Sequence, residues 1–238
     1  MHPLARLWGG GAPPIAILAT DAGNVINNQT TPTDLAVTIG AAAAGRHLIA
    51  LVTNATNDGT SGSGIVTAIT VDPAGAAIAM QKAIARDQNP GGETNEAGIW
   101  IADISAIAGT SVTVRIAYAA AETHSLGLST IAITRPRSAA PTSSGSGGID
   151  SGTTTPTGTA VAGAPGGLVV AAALSDDRLS ASWSGLTERA DLQTGGGSHD
   201  NQHVAAWDLL PDGRAAAVET VTWAGTGGAK ALAVAAFR

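Results

Sequence analysis

Two histidines four residues apart, His199 and His203, stand in the segment Gly195-Gly196-Gly197-Ser198-His199-Asp200-Asn201-Gln202-His203. On a helix that spacing would set both imidazoles on one face, ready for zinc. Three glycines precede the pair and a strand pattern comes after it, so helical geometry is withdrawn and no metal site is assigned. The segment reads as a solvated loop in which His199, Asp200 and His203 are candidate contacts for a ligand or partner. Residues 91–98 occupy the equivalent place earlier in the chain, with Glu93 and Asn95 but no histidine. If anything binds, these two loops are the first places to look.

Four further charged residues have two readings. Asp103 and Asp208 lie in apolar strands, and Arg135 and Arg238 end the strand that closes each copy of an internal repeat. They could form a carboxylate site. A hydrogen bond or ion pair that maintains the fold once per copy is the reading favoured here, because buried polar groups usually find structural partners. Trp183 either offers a ring for sugar stacking or tucks under its own loop. The chain has five Trp, one Tyr and one Phe, so it has few rings to spare for a sugar platform. Leu4, Leu7 and Trp8 are apolar and are cut off from the first strand pattern by Gly9-Gly10-Gly11-Ala12-Pro13-Pro14. They read as an anchor that docks into a neighbouring subunit, or else as a disordered end.

Enzyme signatures are missing: there is no Gly-x-Ser-x-Gly elbow and no His-Glu-x-x-His, and residues 225–230 lack the spacing of a phosphate loop. We expect no catalysis and no cofactor, although paired carboxylates that meet only in space stay open as an alternative.

The elements that must carry these residues are strands. Residues 111–118 place Val112, Val114, Ile116 and Tyr118 at every second position, so one face is apolar. Similar runs fall at 15–20, 35–39, 47–53, 65–71, 78–84, 97–104, 126–134, 168–174, 186–192, 203–210, 217–223 and 229–237, with Gly, Pro and Asp turns between them. Glu219 interrupts the apolar face of the run at 217–223, and 81–85 is the only helical competitor.

Residues 91–118 align with 196–223 without a gap, at a shift of 105 positions. Asp103 then falls on Asp208, and Tyr118 on Trp223. Leu48-Ile49-Ala50 matches Leu168-Val169-Val170, and residues 131–135 match 234–238. Three matches in one order indicate a duplicated module. The first copy carries extra residues around 57–79. We therefore expect an all-β chain of two tandem antiparallel β-sandwiches, jelly-roll or immunoglobulin-like, arising from an internal duplication. The divisions are an N-terminal tail over 1–12, a first sandwich over 13–137, a Ser/Gly/Thr/Pro linker over 138–156 and a second sandwich over 157–238.

Charged residues make up 13% of the chain and the net charge is −6, so no basic field exists to gather nucleic acid or anionic lipid. Cysteine is absent, which excludes disulfides and thiolate metal sites. The charge-free stretch 151–175 is rich in Thr, Gly and Pro and makes no membrane span. The opening residues lack the unbroken apolar run of a signal peptide.

The motifs Gly166-Gly167-Leu168-Val169-Val170-Ala171-Ala172, Ala205-Ala206-Trp207-Asp208, Glu219-Thr220-Val221-Thr222-Trp223 and Val234-Ala235-Ala236-Phe237-Arg238 resemble the Ala- and Gly-rich tandem-sandwich proteins of tailed bacteriophages and gene transfer agents. The resemblance covers roughly residues 30–238. It implies a structural protein on the virion surface: a head fibre, decoration or tail-associated subunit, with host attachment among its roles. The partners expected are other virion proteins of the capsid or tail and further copies of the chain; the alternative is a carbohydrate-binding adhesin module that meets a host-surface glycan through Trp183 and the loops at 91–98 and 196–203. The resemblance transfers no catalytic residue.

Overall fold

The computed structural model describes residues 13–29, 32–57, 65–88, 93–119, 124–134, 136–149, 152–156, 158–195 and 201–238. Among these residues every regular element is a strand. In the first half they are β1 (Ala16–Gln29), β2 (Thr33–Thr38), β3 (Arg46–Asn57), β4 (Val66–Val71), β5 (Ile78–Ala79), β6 (Gln81–Gln88), β7 (Glu93–Asp103), β8 (Ser111–Tyr118) and β9 (His124–Thr134). The second half holds β10 (Ser143–Ile149), β11 (Val161–Gly163), β12 (Gly167–Ser175), β13 (Ala181–Ser184), β14 (Glu188–Thr194), β15 (Asn201–Leu210), β16 (Arg214–Ala217), β17 (Thr220–Trp223) and β18 (Lys230–Phe237). β8 shows the period-2 rule at work: Val112, Val114 and Ile116 are buried while Ser111 and Arg115 face water. The helical competitor at 81–85 is extended, because β6 pairs with β7 across a bulge at Lys82 and Ile84.

The strands form antiparallel sheets stacked in a β-sandwich-like arrangement. A five-stranded sheet of order β1-β9-β3-β7-β6 lies against a four-stranded sheet of order β2-β8-β4-β5. Between them sit Leu48, Val52, Trp100, Val114, Ile116 and Leu128. A second five-stranded sheet, β10-β18-β12-β15-β14, lies against the two-stranded sheets β11-β16 and β13-β17. Its core holds Val169, Ala171, Val204, Val221, Trp223 and Val234.

A third core joins the two five-stranded sheets face to face. Ile49, Leu51, Ile99, Ile101, Ile131 and Ile133 come from the first, and Leu168, Val170, Ala172, Ala231, Ala233 and Ala235 from the second. The first sheet gives mostly isoleucines, and the second gives alanines together with Leu168, Val170, Trp207 and Phe237; each central strand is buried on both faces. All nine residues of β12 and all eight of β18 are buried.

The linker expected over 138–156 is not a free connection. Residues 143–149 are β10, paired with β18 in unbroken register from Ser143↔Ala236 to Ile149↔Lys230. Beyond it, Gly152 N donates to Thr226 O at 3.0 Å, and Trp223 N donates to Thr154 O at 2.9 Å. The Ser/Gly composition that suggested flexibility serves close packing instead. A Cβ on Gly145 would strike Thr159 O, and one on Gly148 would strike the Gln88 and Arg86 side chains.

The match of Asp103 to Asp208 also needs correction. Gly45 (φ 68°) and Gly166 (φ 71°) make the same left-handed turn ahead of β3 and β12. Three residues after each lie Leu48, between Ala102 and Ala132, and Val169, between Asp208 and Ala236. Asp208 therefore takes the place of Ala102. A one-residue slip exchanges the faces of a strand. The gapless alignment made that slip because doubly buried strands carry no polar alternation to fix register. Tyr118 and Trp223 each pack on the core beneath their own outer strands. The strand expected at 217–223 is split into β16 and β17 at Val218 and Glu219, where Glu219 turns inward to pair with Arg214.

Replacing Ile99, which is 0% exposed in the shared core, by Ala should cost about 2–5 kcal/mol. Hydrogen exchange should show amides of both halves losing protection together. Loss confined to β3, β7 and β9 would mean that the halves unfold separately.

Candidate functional site

Contacts between the two five-stranded sheets bring the starts of β1 and β12 together and set the start of β15 beside β3 and β9, so the stack has two poles. At one, Ile15 N donates to Gly166 O at 2.8 Å, and Arg238 Nη1 reaches Pro13 O at 3.4 Å. At the other lie the ends of β6 and β14 and the starts of β7 and β15, so the strands flanking the two candidate loops share one pole. His199 and Asp200 lie outside the described residues, as do Leu4, Leu7, Trp8 and Arg135.

His203 is not a loop residue. It is the third residue of β15, 0% exposed, with its ring between the two five-stranded sheets. Thr53 Oγ1 of β3 lies 2.8 Å from Nδ1, and Ser129 Oγ of β9 lies 3.0 Å from Nε2. Gly127 leaves room for the ring, since a Cβ there would come within 3.0 Å of His203 Cβ and Cγ. Burial pushes the imidazole pKa down to about 3. A neutral ring has one donor and one acceptor nitrogen, and hydroxyls can complement both. His203 thus clamps the second half to the first and is sealed from any ligand. Seen from the sequence, its place beside a glycine run suggested solvent, because nothing there announced the opposing sheet.

Asn95 is also buried, and it shares its strand face with Ala97 and Ile99 of the shared core. Neither its Oδ1 nor its Nδ2 has a hydrogen-bond partner, and Asn201 Oδ1 and Thr194 Oγ1 are likewise buried without one. Such groups carry a desolvation cost unless water or a ligand atom reaches them. The shared layer thus changes along its length, apolar through the middle and polar toward the loop pole. The Glu93 side chain lies outside the described residues.

Sequence reasoning missed Glu96. It lies one residue from Asn95, on the opposite face of β7, and is 1% exposed. Its Oε2 accepts Val66 N at 2.6 Å, and its Oε1 lies 3.3 Å from Lys82 Nζ. That ammonium sits 4.7 Å from the centre of the Trp100 ring and donates to Val66 O at 3.2 Å. The four groups fix the start of β4, the strand that comes after residues 58–64. Burial pushes the Glu96 carboxyl up to about 7 and Asp87 adds to this, while Lys82 and the Val66 amide oppose it. Polar residues in a strand register that pairs Asp87 with Glu96 and Glu96 with Asn54 were the only available signal.

The repeat carboxylates do not converge. Asp103 is exposed and accepts Ser105 N at 2.8 Å, and hydrogen bonds from the Ser105 hydroxyl and then its amide hold the carboxyl pKa below the usual value. Asp208 accepts Thr187 N at 2.8 Å and lies 3.5 Å from Arg189. Both tie down local turns, with different partners. Arg238 Nη1 lies 3.3 Å from Gly166 O, at the opposite pole from His203. Trp183 is half-buried against the second half's core, with its Nε1 buried and unpartnered, so its ring is not an open stacking platform. Among the described residues no three His, Cys, Asp or Glu side chains are grouped as a metal site would require.

Two groups give opposite pH dependence. Glu96, raised from 4.5 to about 7, contributes stability that is full below pH 4.5 and is lost as pH rises through 7. That loss is worth about 3 kcal/mol. His203, lowered from 6.5 to about 3, contributes stability that is present above pH 6.5 and is lost on acidification. In Glu96→Gln, urea midpoints should therefore fall steadily from pH 7 to pH 4.5, a loss that Glu96 partly offsets in the native chain. An unchanged profile would contradict the buried carboxyl. Gly127→Ala should displace the His203 ring and cost about 3 kcal/mol in a denaturant titration. Comparison with protein-family models, curated proteins and solved structures gives no match for this chain.

Proposed function

We propose that this chain is a duplicated pair of β-sandwiches serving as a structural, surface-displayed component of a phage-like virion, of the head-fibre, decoration or tail-associated kind. The observation that carries the reading is the polarity of the stack. Pro13 lies at one pole, and β7 and β15 begin at the other. A body fused through a shared core holds those poles at a fixed separation, which is what a display unit needs. Residues 1–12 attach, and the pole where β7 and β15 begin faces outward.

Two observations support the duplication. Both five-stranded sheets have the same succession of strands, and β11, β16, β17 and β13 stand in the relation of β2, β8 and β4. β5 has no counterpart among the described residues of the second half, in keeping with the extra residues near 57–79.

Co-sedimentation with purified capsids and with purified tails tests this reading. Saturable binding to one of them, lost when residues 2–12 are deleted, is the expected result. A monodisperse monomer that binds neither would contradict it.

A further inference from the structure

At the pole where residue 13 enters the fold, no described residue covers Leu209, at the edge of the shared apolar layer. Trp207 and Leu209 of β15 point to the same side, toward the first five-stranded sheet. Trp207 is 3% exposed within the shared core, whereas Leu209 is 44% exposed, one of two large hydrophobic side chains so exposed among the described residues. Beside Leu209 opens a cavity of about 240 Å³ lined by Pro14, Ile15, Gly166, Leu209, Leu210 and Pro211. Its rim is held by backbone hydrogen bonds: Gly166 N to Leu210 O at 2.6 Å, and Ile15 N to Gly166 O at 2.8 Å. The cavity is a preformed apolar notch, of the kind that receives one or two side chains.

We propose that the notch is the docking site for the apolar segment of this same chain that contains Leu4, Leu7 and Trp8. Two features select that occupant. The wall formed by Pro14 and Ile15 is continuous with the segment, and Trp8 stands five residues before Pro13, a reach of up to about 17 Å. Gly9-Gly10-Gly11 gives the chain freedom to turn back over Leu209. A tether this short also sets an effective concentration on the order of millimolar, which outcompetes a free partner offering a similar side chain. Trp8 or Leu7 fills the notch and covers Leu209. The inference stands whether or not the virion reading holds. Should that reading hold, docking hides the anchor until a particle surface competes for it.

Hydrogen exchange at residues 209–213 and 166–167 tests this in four proteins: the full chain, a chain lacking residues 2–12, Trp8→Ala and Leu209→Asp. Exchange should be at least tenfold faster in each of the last three, with the rest of both sheets unchanged. A synthetic peptide of residues 1–12 should restore slow exchange to the truncated chain at millimolar concentration, but not to Leu209→Asp. Far-ultraviolet circular dichroism and the urea midpoint of Trp8→Ala should match those of the full chain, so that faster exchange reads the notch and not the fold. Equal exchange in the full and truncated chains would overturn the proposal. So would protection that grows with protein concentration in step with dimer formation by sedimentation, since the occupant would then be a neighbouring copy's segment.

Discussion

Isoleucines on one five-stranded sheet meet alanines on the other, and closing that layer dictates most of the molecule. Both sheets are then covered twice, once by each other and once by their outer strands. Strands in such a position carry few charges, and they have no reason to alternate polar with apolar residues. The low charge content, the Val/Ala runs of β12 and β18 and the glycines of β10 all answer to this constraint. Small residues recur on one side because layers about 10 Å apart cannot accept two large side chains at the same point.

The same layer governs the polar residues. Toward the loop pole it changes from isoleucine and alanine to Thr53, Asn95, Ser129, Asn201 and His203, all buried. His203 is useful there because it is neutral and has two ring nitrogens, so one side chain engages hydroxyls on β3 and β9. Hydrogen bonds of this kind add directional specificity to a contact that apolar packing alone would leave free to slide. Glu96 is the counterpart on the outer side of the first five-stranded sheet. Its environment leaves a carboxyl near neutrality, so proton uptake is coupled to the seating of β4.

How much of the fold was legible depended on whether a strand had one wet face. β8 could be read directly, since Val112, Val114 and Ile116 alternate with Ser111 and Arg115. β12 and β18 were recognisable as strands, but their register was not, because Leu168 to Leu174 is apolar throughout. The stacking of the halves was hidden for the same reason. Glycine misled twice: Ser143 to Gly148 resembled a linker, and the glycines before His203 suggested an open loop, although β10 and His203 both pack against another sheet. Asn95 and His203 have polar side chains at strand starts, and only the opposing sheet decides that they are interior.

The two halves share one core, and separating them tests that most directly. Residues 13–137 and 138–238 can be produced as two polypeptides and followed by circular dichroism and urea unfolding, alone and mixed. Neither should show a cooperative transition alone, since each would expose the isoleucine or alanine face of its five-stranded sheet, and mixing should restore one transition. Two fragments that each fold cooperatively and do not associate would contradict the shared core.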